Sequence, residues 1–219
     1  KALSALMGLT TLIITERALD NQISFGTIIF LHAYMLFFAE VATFQSWQSI
    51  IRFGTEDLQK KNAKHLGGLI KFSVKIDVLS AIFAYAGAVL LFGLYVALIK
   101  AYPGLAPQAD GFNIEELKPL VIAYSTVVLF QITGTPIGVL RLFDKFQGLA
   151  LAALVMPILR LAGAIFAAVM GWGMIGFLCV WWFASVAGYV FKVGLGIYEL
   201  YWRHLLGVVV SAKEKFTAP

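Results

Sequence analysis

The chain of 219 residues is 60% hydrophobic and only 13% charged, with a mean hydropathy of +0.86 and a net charge of +5. A soluble domain carries about 25% charged residues, so these proportions exclude a protein with a fully solvated surface. The charges cluster between long apolar runs, as in a polytopic helical membrane protein, and no period-two alternation suggests an outer-membrane barrel.

The first apolar stretch, over residues 1–15, offers about 14 apolar residues against the roughly 20 that a span needs. It reads as the remnant of a truncated first helix; the alternative is a signal peptide, but no small-residue cleavage site precedes Glu16 and Arg17. After a polar turn over 16–25, a second run covers 26–47 and is interrupted by His32 and Glu40. Residues 48–75 turn polar and basic and read as an interfacial cytoplasmic loop. Within it Thr55, followed by Glu56 and Asp57, suits the start of a short amphipathic surface helix. The third run spans 76–99, with Asp77 near its entrance, and the Pro and Gly content of 100–113 marks a loop. Asn113 and Glu116 resemble a capping box that opens the fourth helix, which runs through 121–140. The fifth covers 146–170, a tight turn follows at 171–173, and the sixth spans 174–198 before a basic tail. Pro136 and Pro157 leave the carbonyls of Ile132 and Ala153 without their usual helical donors, and so predict bends or a lined site.

The expected fold is therefore all-α and integral to the membrane: about six transmembrane helices in one lobe over 1–199, then a basic tail over 200–219. With the chain starting in the cytoplasm, Arg17, Lys100 and Lys118 fall outside and thirteen other Lys and Arg fall inside, with Arg160 left within the membrane. That asymmetry predicts cytoplasmic termini and explains the basic excess without a nucleic-acid partner. Gly163, Ala167 and Gly171, and likewise Ala184 and Gly188, recur at four-residue spacing and suit close helix packing. The segments SIIRFG (49–54) and GVLRLF (138–143) echo one another, as a three-helix duplication would leave them.

No catalytic constellation emerges. His32, His65 and His204 lie far apart in sequence and in no metal-ligand spacing, Cys179 is alone, and neither a Gly-rich phosphate loop nor a nucleophile elbow occurs. Neither cofactor nor metal is expected, and the balance tilts from enzyme toward transport. Arg160 is the informative residue. An ionised Arg in hydrocarbon costs roughly 2.5–3.5 kcal/mol, so it should face a bundle interior or a watery cavity. Arg17, Arg52 and Arg141 stand at helix ends, where snorkelling competes with ligand binding. The arginine fork suits phosphate, so a cationic lumen would take an amphiphile with an anionic head. Glu40 reads as a partner for Arg160, as an ion-coupling carboxylate, or as a protonated hydrogen-bonding group, and Asp77 as a second ion-coupling candidate. Gln45 and Gln48 share a helix face.

The phrases TFQSWQSIIRFG (43–54), ERALDNQISFG (16–26), GTPIGVLRLFDKFQGLA (134–150) and PILRLAGA (157–164) resemble bacterial polysaccharide flippases. These are the lipopolysaccharide or O-antigen exporters of the multidrug/oligosaccharidyl-lipid/polysaccharide superfamily. The resemblance implies an N-terminal lobe in a bacterial inner membrane. It implies a lipid-linked (undecaprenyl-diphosphate) oligosaccharide as substrate, moved between leaflets by alternating access, with membrane lipid around it. Arg160, Arg17, Arg52 and Arg141, with Gln45 and Gln48, would then bind the head group. A second lobe or a second copy would complete the cavity. The sequence departs from the family pattern at Asp20, where a glycine is usual, and in length. The alternatives are a cation-coupled multidrug antiporter of the same superfamily, using Glu40 or Asp77, and a membrane glycosyl- or acyltransferase.

Overall fold

A computed structural model describes residues 2–19, 21–41, 45–102 and 114–212, among which there is no strand. The helices are α1 (Ala2–Ala18), α2 (Gln22–Val41), α3 (Ser46–Gln59), α4 (Ala63–Ala101), α5 (Ile114–Ser125), α6 (Gly134–Leu142), α7 (Phe146–Val169), α8 (Met174–Trp202) and α9 (Leu206–Ser211), with a 3₁₀ turn over Thr126–Phe130. Among the described residues, five stretches are long and apolar enough to cross a membrane: Gln22–Glu40, Ala63–Ala101, Glu115–Leu142, Phe146–Val169 and Met174–Trp202. The count of about six included the first stretch; α1 has 17 residues and is shorter than these. Large apolar side chains such as Phe83, Leu90, Phe183 and Val169 stand more than 60% exposed on the spans, where hydrocarbon rather than water would solvate them.

Residues 48–75, read as an interfacial loop with a short amphipathic helix, carry the amphipathic helix α3 and, beyond a turn at 60–62, the start of α4. Buried Ser46, Ile50, Gly54 and Asp57 recur every three or four residues and form the inward stripe of α3. Thr55 does not open that helix, because the stripe begins nine residues earlier; its hydroxyl donates back to the Ile51 carbonyl at 2.6 Å. Lys60, one turn after Glu56 at 2.6 Å, holds that exposed carboxyl below the usual carboxylate range. The next helix opens at Asn62, whose side-chain oxygen accepts the His65 N–H at 3.2 Å, an N-cap the sequence reading passed over. At 39 residues, α4 is about 58 Å long, nearly twice the roughly 30 Å hydrocarbon thickness. Asp77, at the start of the apolar run, is thus preceded by residues 63–76 of the same helix. The tail contains α9, and Asp20, Asn113, Lys213 and Lys215 lie outside the described residues.

Four helix ends close in the same way. Lys61, Asp144, His204 and Gly171 take left-handed φ angles of 53°, 57°, 56° and 65°. At each, the next residue's N–H returns to a carbonyl five residues back, with N···O distances of 2.8–2.9 Å, which satisfies the last carbonyls and turns the chain. Gly171 therefore serves a corner and not the small-residue stripe expected of it. Buried Glu199 accepts from Arg203 Nε at 2.7 Å and lies 3.7 Å from Lys145 Nζ, tying the corner after α6 to the end of α8.

The chain divides into two compact units. The first gathers α1, α2, α4 from Ile82, α5 and the turn after it, α7 from Pro157, and α8 as far as Ser185. Within it α1 packs on α2 and α2 on α5. Gly163 meets Val180, where an added Cβ would stand 2.5 Å from a methyl group, and Ala164 and Ala167 are fully buried.

The second unit gathers α3, α4 up to Ala81, α6, the start of α7, the end of α8, and α9. Its core is Leu66, Ile70, Val139, Phe143 and Leu200, covered by Leu142, Leu205, Leu206 and Val209. Here α3 packs along α6, so the two echoing segments lie side by side. Their glycines make the approach reciprocal: Gly54 receives Leu142 and Gly138 receives Ile50, each leaving 2.9 Å for an added Cβ. The fourth run is not one helix, because residues 131–133 are non-helical between the 3₁₀ turn and α6. Pro136 sits in the first turn of α6, where its missing N–H costs nothing, and Pro157 is carried inside a continuous α7.

Candidate membrane-embedded polar sites

Arg160 is anchored in the first unit by groups that α2 and α8 present to it. Its guanidinium lies 3.2 Å from His32 Nε2, donates to Ser185 Oγ at 2.9 Å, and stands 4.8 Å from the centre of the Trp181 ring. Trp181 and Ser185 are four apart and so share one face of α8. An arginine only donates, so His32 Nε2 must accept and Nδ1 must carry the proton. That proton points to the Tyr124 hydroxyl at 2.9 Å, and the edge of the imidazole meets Trp181 with centroids 5.0 Å apart. These contacts orient the guanidinium with an imidazole nitrogen, a hydroxyl and an aromatic face, each of which stabilises its charge. Nine residues, about 14 Å of helix, separate Arg160 from Val169 at the nearer end of α7.

The second unit holds a buried carboxylate at the break before α6. Asp77 is 6% exposed; one oxygen accepts the Ser46 hydroxyl at 2.6 Å and the other the Thr135 N–H at 2.6 Å. That amide belongs to the first turn of α6, whose unpaired N–H groups and dipole favour an anion. Gly134 permits the approach, since an added Cβ would stand 2.2 Å from Ser46 Oγ and 2.8 Å from Asp77 Oδ1. A pocket of about 210 Å3 opens beside it, lined by Gln45, Ser46, Ser49 and Ser73 among others.

The remaining candidates have more local surroundings. Arg17 is exposed in the last turn of α1. Arg52 is exposed over the Phe53 ring at 5.4 Å, and half-buried Arg141 stacks on Trp47 at 4.2 Å. Gln48 is hydrogen-bonded to Gln45. Glu40, weighed as the partner of Arg160, is exposed near the end of α2; the hydrogen bonds described for Arg160 go to His32 and Ser185. Sequence reasoning chose Arg160 and Asp77 but passed over His32, Tyr124, Trp181, Ser185, Ser46 and Thr135. The signals were a histidine interrupting an apolar run and a Trp–Ser pair at helical spacing.

No family model matches the chain, and no solved structure matches it. A curated relative, inner membrane protein YghQ of Escherichia coli strain K12, is 26% identical over 194 residues, which cover 83% of this chain and 51% of the relative. The chain thus spans about half the length of the relative it matches. Together with five helices long and apolar enough to span, this likeness makes the chain a multi-pass protein of the inner membrane.

Proposed function

We propose that this chain is one lobe of a flippase that carries an undecaprenyl-diphosphate-linked oligosaccharide across the inner membrane during polysaccharide or lipopolysaccharide synthesis. The observation that carries the reading is Arg160, a cation set within an apolar span and oriented by His32, Ser185 and Trp181. A fixed guanidinium at that depth suits a diphosphate that must leave one interface and reach the other. In this reading both termini are cytoplasmic, and a second lobe or copy closes the cavity, in keeping with a relative about twice as long. Leaflet exchange of a fluorescent undecaprenyl-diphosphate sugar, measured in liposomes carrying the complete natural protein, tests it. Exchange should be accelerated by the protein and lost on Arg160→Ala; undiminished exchange by a well-inserted Arg160→Ala protein refutes the role.

Buried Asp77 at the helix break favours a second reading, a cation-coupled antiporter. Dye efflux that follows a proton or sodium gradient and disappears on Asp77→Asn, without any exchange of the lipid-linked sugar, would select it.

A further inference from the structure

In the first unit a groove of about 600 Å3 runs between α5 and α8, walled by Leu120, Ala123, Tyr124, Ile175, Cys179 and Phe183 among others. Its volume falls within the roughly 300–1,000 Å3 of ligand pockets. The polar atoms of its wall are engaged within the protein. Thr126 donates to the Ala123 carbonyl at 2.6 Å and accepts the Trp182 N–H at 2.8 Å, and the Tyr124 hydroxyl meets His32 at 2.9 Å. What remains toward the groove is hydrocarbon and aromatic surface with the Cys179 thiol among it. Tyr124 is also the link to the cation: its hydroxyl, the His32 ring and the Arg160 guanidinium form one hydrogen-bonded row.

We propose that this groove seats the isoprenoid chain of the anionic amphiphile whose phosphate is drawn to Arg160, a subsite that rests on the flippase reading above. An apolar slot with a positive charge two hydrogen bonds behind its wall complements a molecule that joins a long hydrocarbon to a phosphate. A bilayer phospholipid would match only half of it. Its phosphate stays at the interface, about 15 Å from the midplane, so it would cover the groove without sensing Arg160. A chain whose head is taken into the protein couples the two places.

The test is photo-crosslinking of the full protein in phosphatidylcholine nanodiscs with undecaprenyl phosphate carrying a diazirine on its chain, read by mass spectrometry. Adducts are expected on residues 120–126 and 175–183. A tenfold excess of unlabelled undecaprenyl phosphate should lower their yield about tenfold by mass action, whereas phosphatidylglycerol should not. Filling the groove with Ala123→Trp should reduce the yield to a similar degree. Ile175→Ala, which only shortens an exposed side chain, should reduce it severalfold and guards against a misfolded tryptophan variant. Arg160→Gln should lower the yield of the same adducts. Adducts elsewhere, equal competition by phosphatidylglycerol, or yields unmoved by both groove variants overturn the proposal. Adducts in the groove without leaflet exchange would defeat the flippase reading alone. Exchange that depends on Arg160 without groove adducts would defeat this subsite alone.

Discussion

Removing the Asp77 carboxylate gives the sharpest test of how the broken helix is held. Asp77, Ser46 and Thr135 are each at least 93% buried, and the carboxylate is the acceptor for both the Ser46 hydroxyl and the Thr135 N–H. In Asp77→Ala both donors lose that acceptor, and a buried unsatisfied donor costs about 1–3 kcal/mol. The expected loss is therefore about 4 kcal/mol, within a range of roughly 2–6 kcal/mol. Asp77→Asn should be milder, at about 1–2 kcal/mol. Its amide oxygen still accepts from Thr135, and the Ser46 hydroxyl can rotate to accept from the amide NH2, so two hydrogen bonds remain while the charge assistance and the acceptor for the Ser46 proton are lost. Gly134→Ala should cost about 1–3 kcal/mol by overpacking, because its methyl group would occupy the space of the Ser46 hydroxyl. Gly134→Ala and Asp77→Ala disrupt the same bonds, so together they should cost less than the sum of the two. Unfolding equilibria in mixed micelles of increasing denaturing-detergent fraction measure all four proteins. A stability of Asp77→Ala within about 0.5 kcal/mol of the parent, the ordinary range for surface changes, refutes the reasoning; so does an asparagine as costly as alanine.

Two further changes probe the packing and the corners. Gly163→Ala places a methyl 2.5 Å from Val180 Cγ1, so the same unfolding measurement should show a loss of about 1–3 kcal/mol; a neutral result would mean that α7 and α8 separate easily there. Lys61→Gly relieves an exposed side chain of its left-handed φ of 53°. The relief of about 1–2 kcal/mol is partly offset by glycine's unfolded-chain entropy of about 0.5–1 kcal/mol. A net gain near 0.5 kcal/mol is expected, and a loss would show that Lys61 makes a stabilising contact that outweighs its strain.

Much of the architecture was legible in the one-dimensional pattern. Length and hydropathy placed the apolar runs that became α2, the second half of α4, α5 with α6, α7 and α8, because each span must satisfy its backbone hydrogen bonds within itself. The corner at 171–173 showed in its glycines. The corner at 61 did not, because a lysine there gives no local sign of a left-handed turn. Arg160 and Asp77 could be chosen from sequence because a charge inside an apolar run is costly wherever its helix points. Their partners could not. His32 lies 128 positions from Arg160, and Thr135 lies 58 from Asp77; only the packing of α2, α7 and α8 in one unit, and of α3, α4 and α6 in the other, brings them within hydrogen-bond reach. The break before α6 was also hidden, since residues 131–133 lie in an otherwise apolar run. The helix that restarts there needs partners for its first N–H groups, and the Asp77 side chain, from another helix, accepts that of Thr135. The sequence alone determined that the protein lives in a membrane and which charges it must shelter. The tertiary structure decided what shelters them, because hydrogen-bond partners are chosen by helix packing and not by neighbours along the chain.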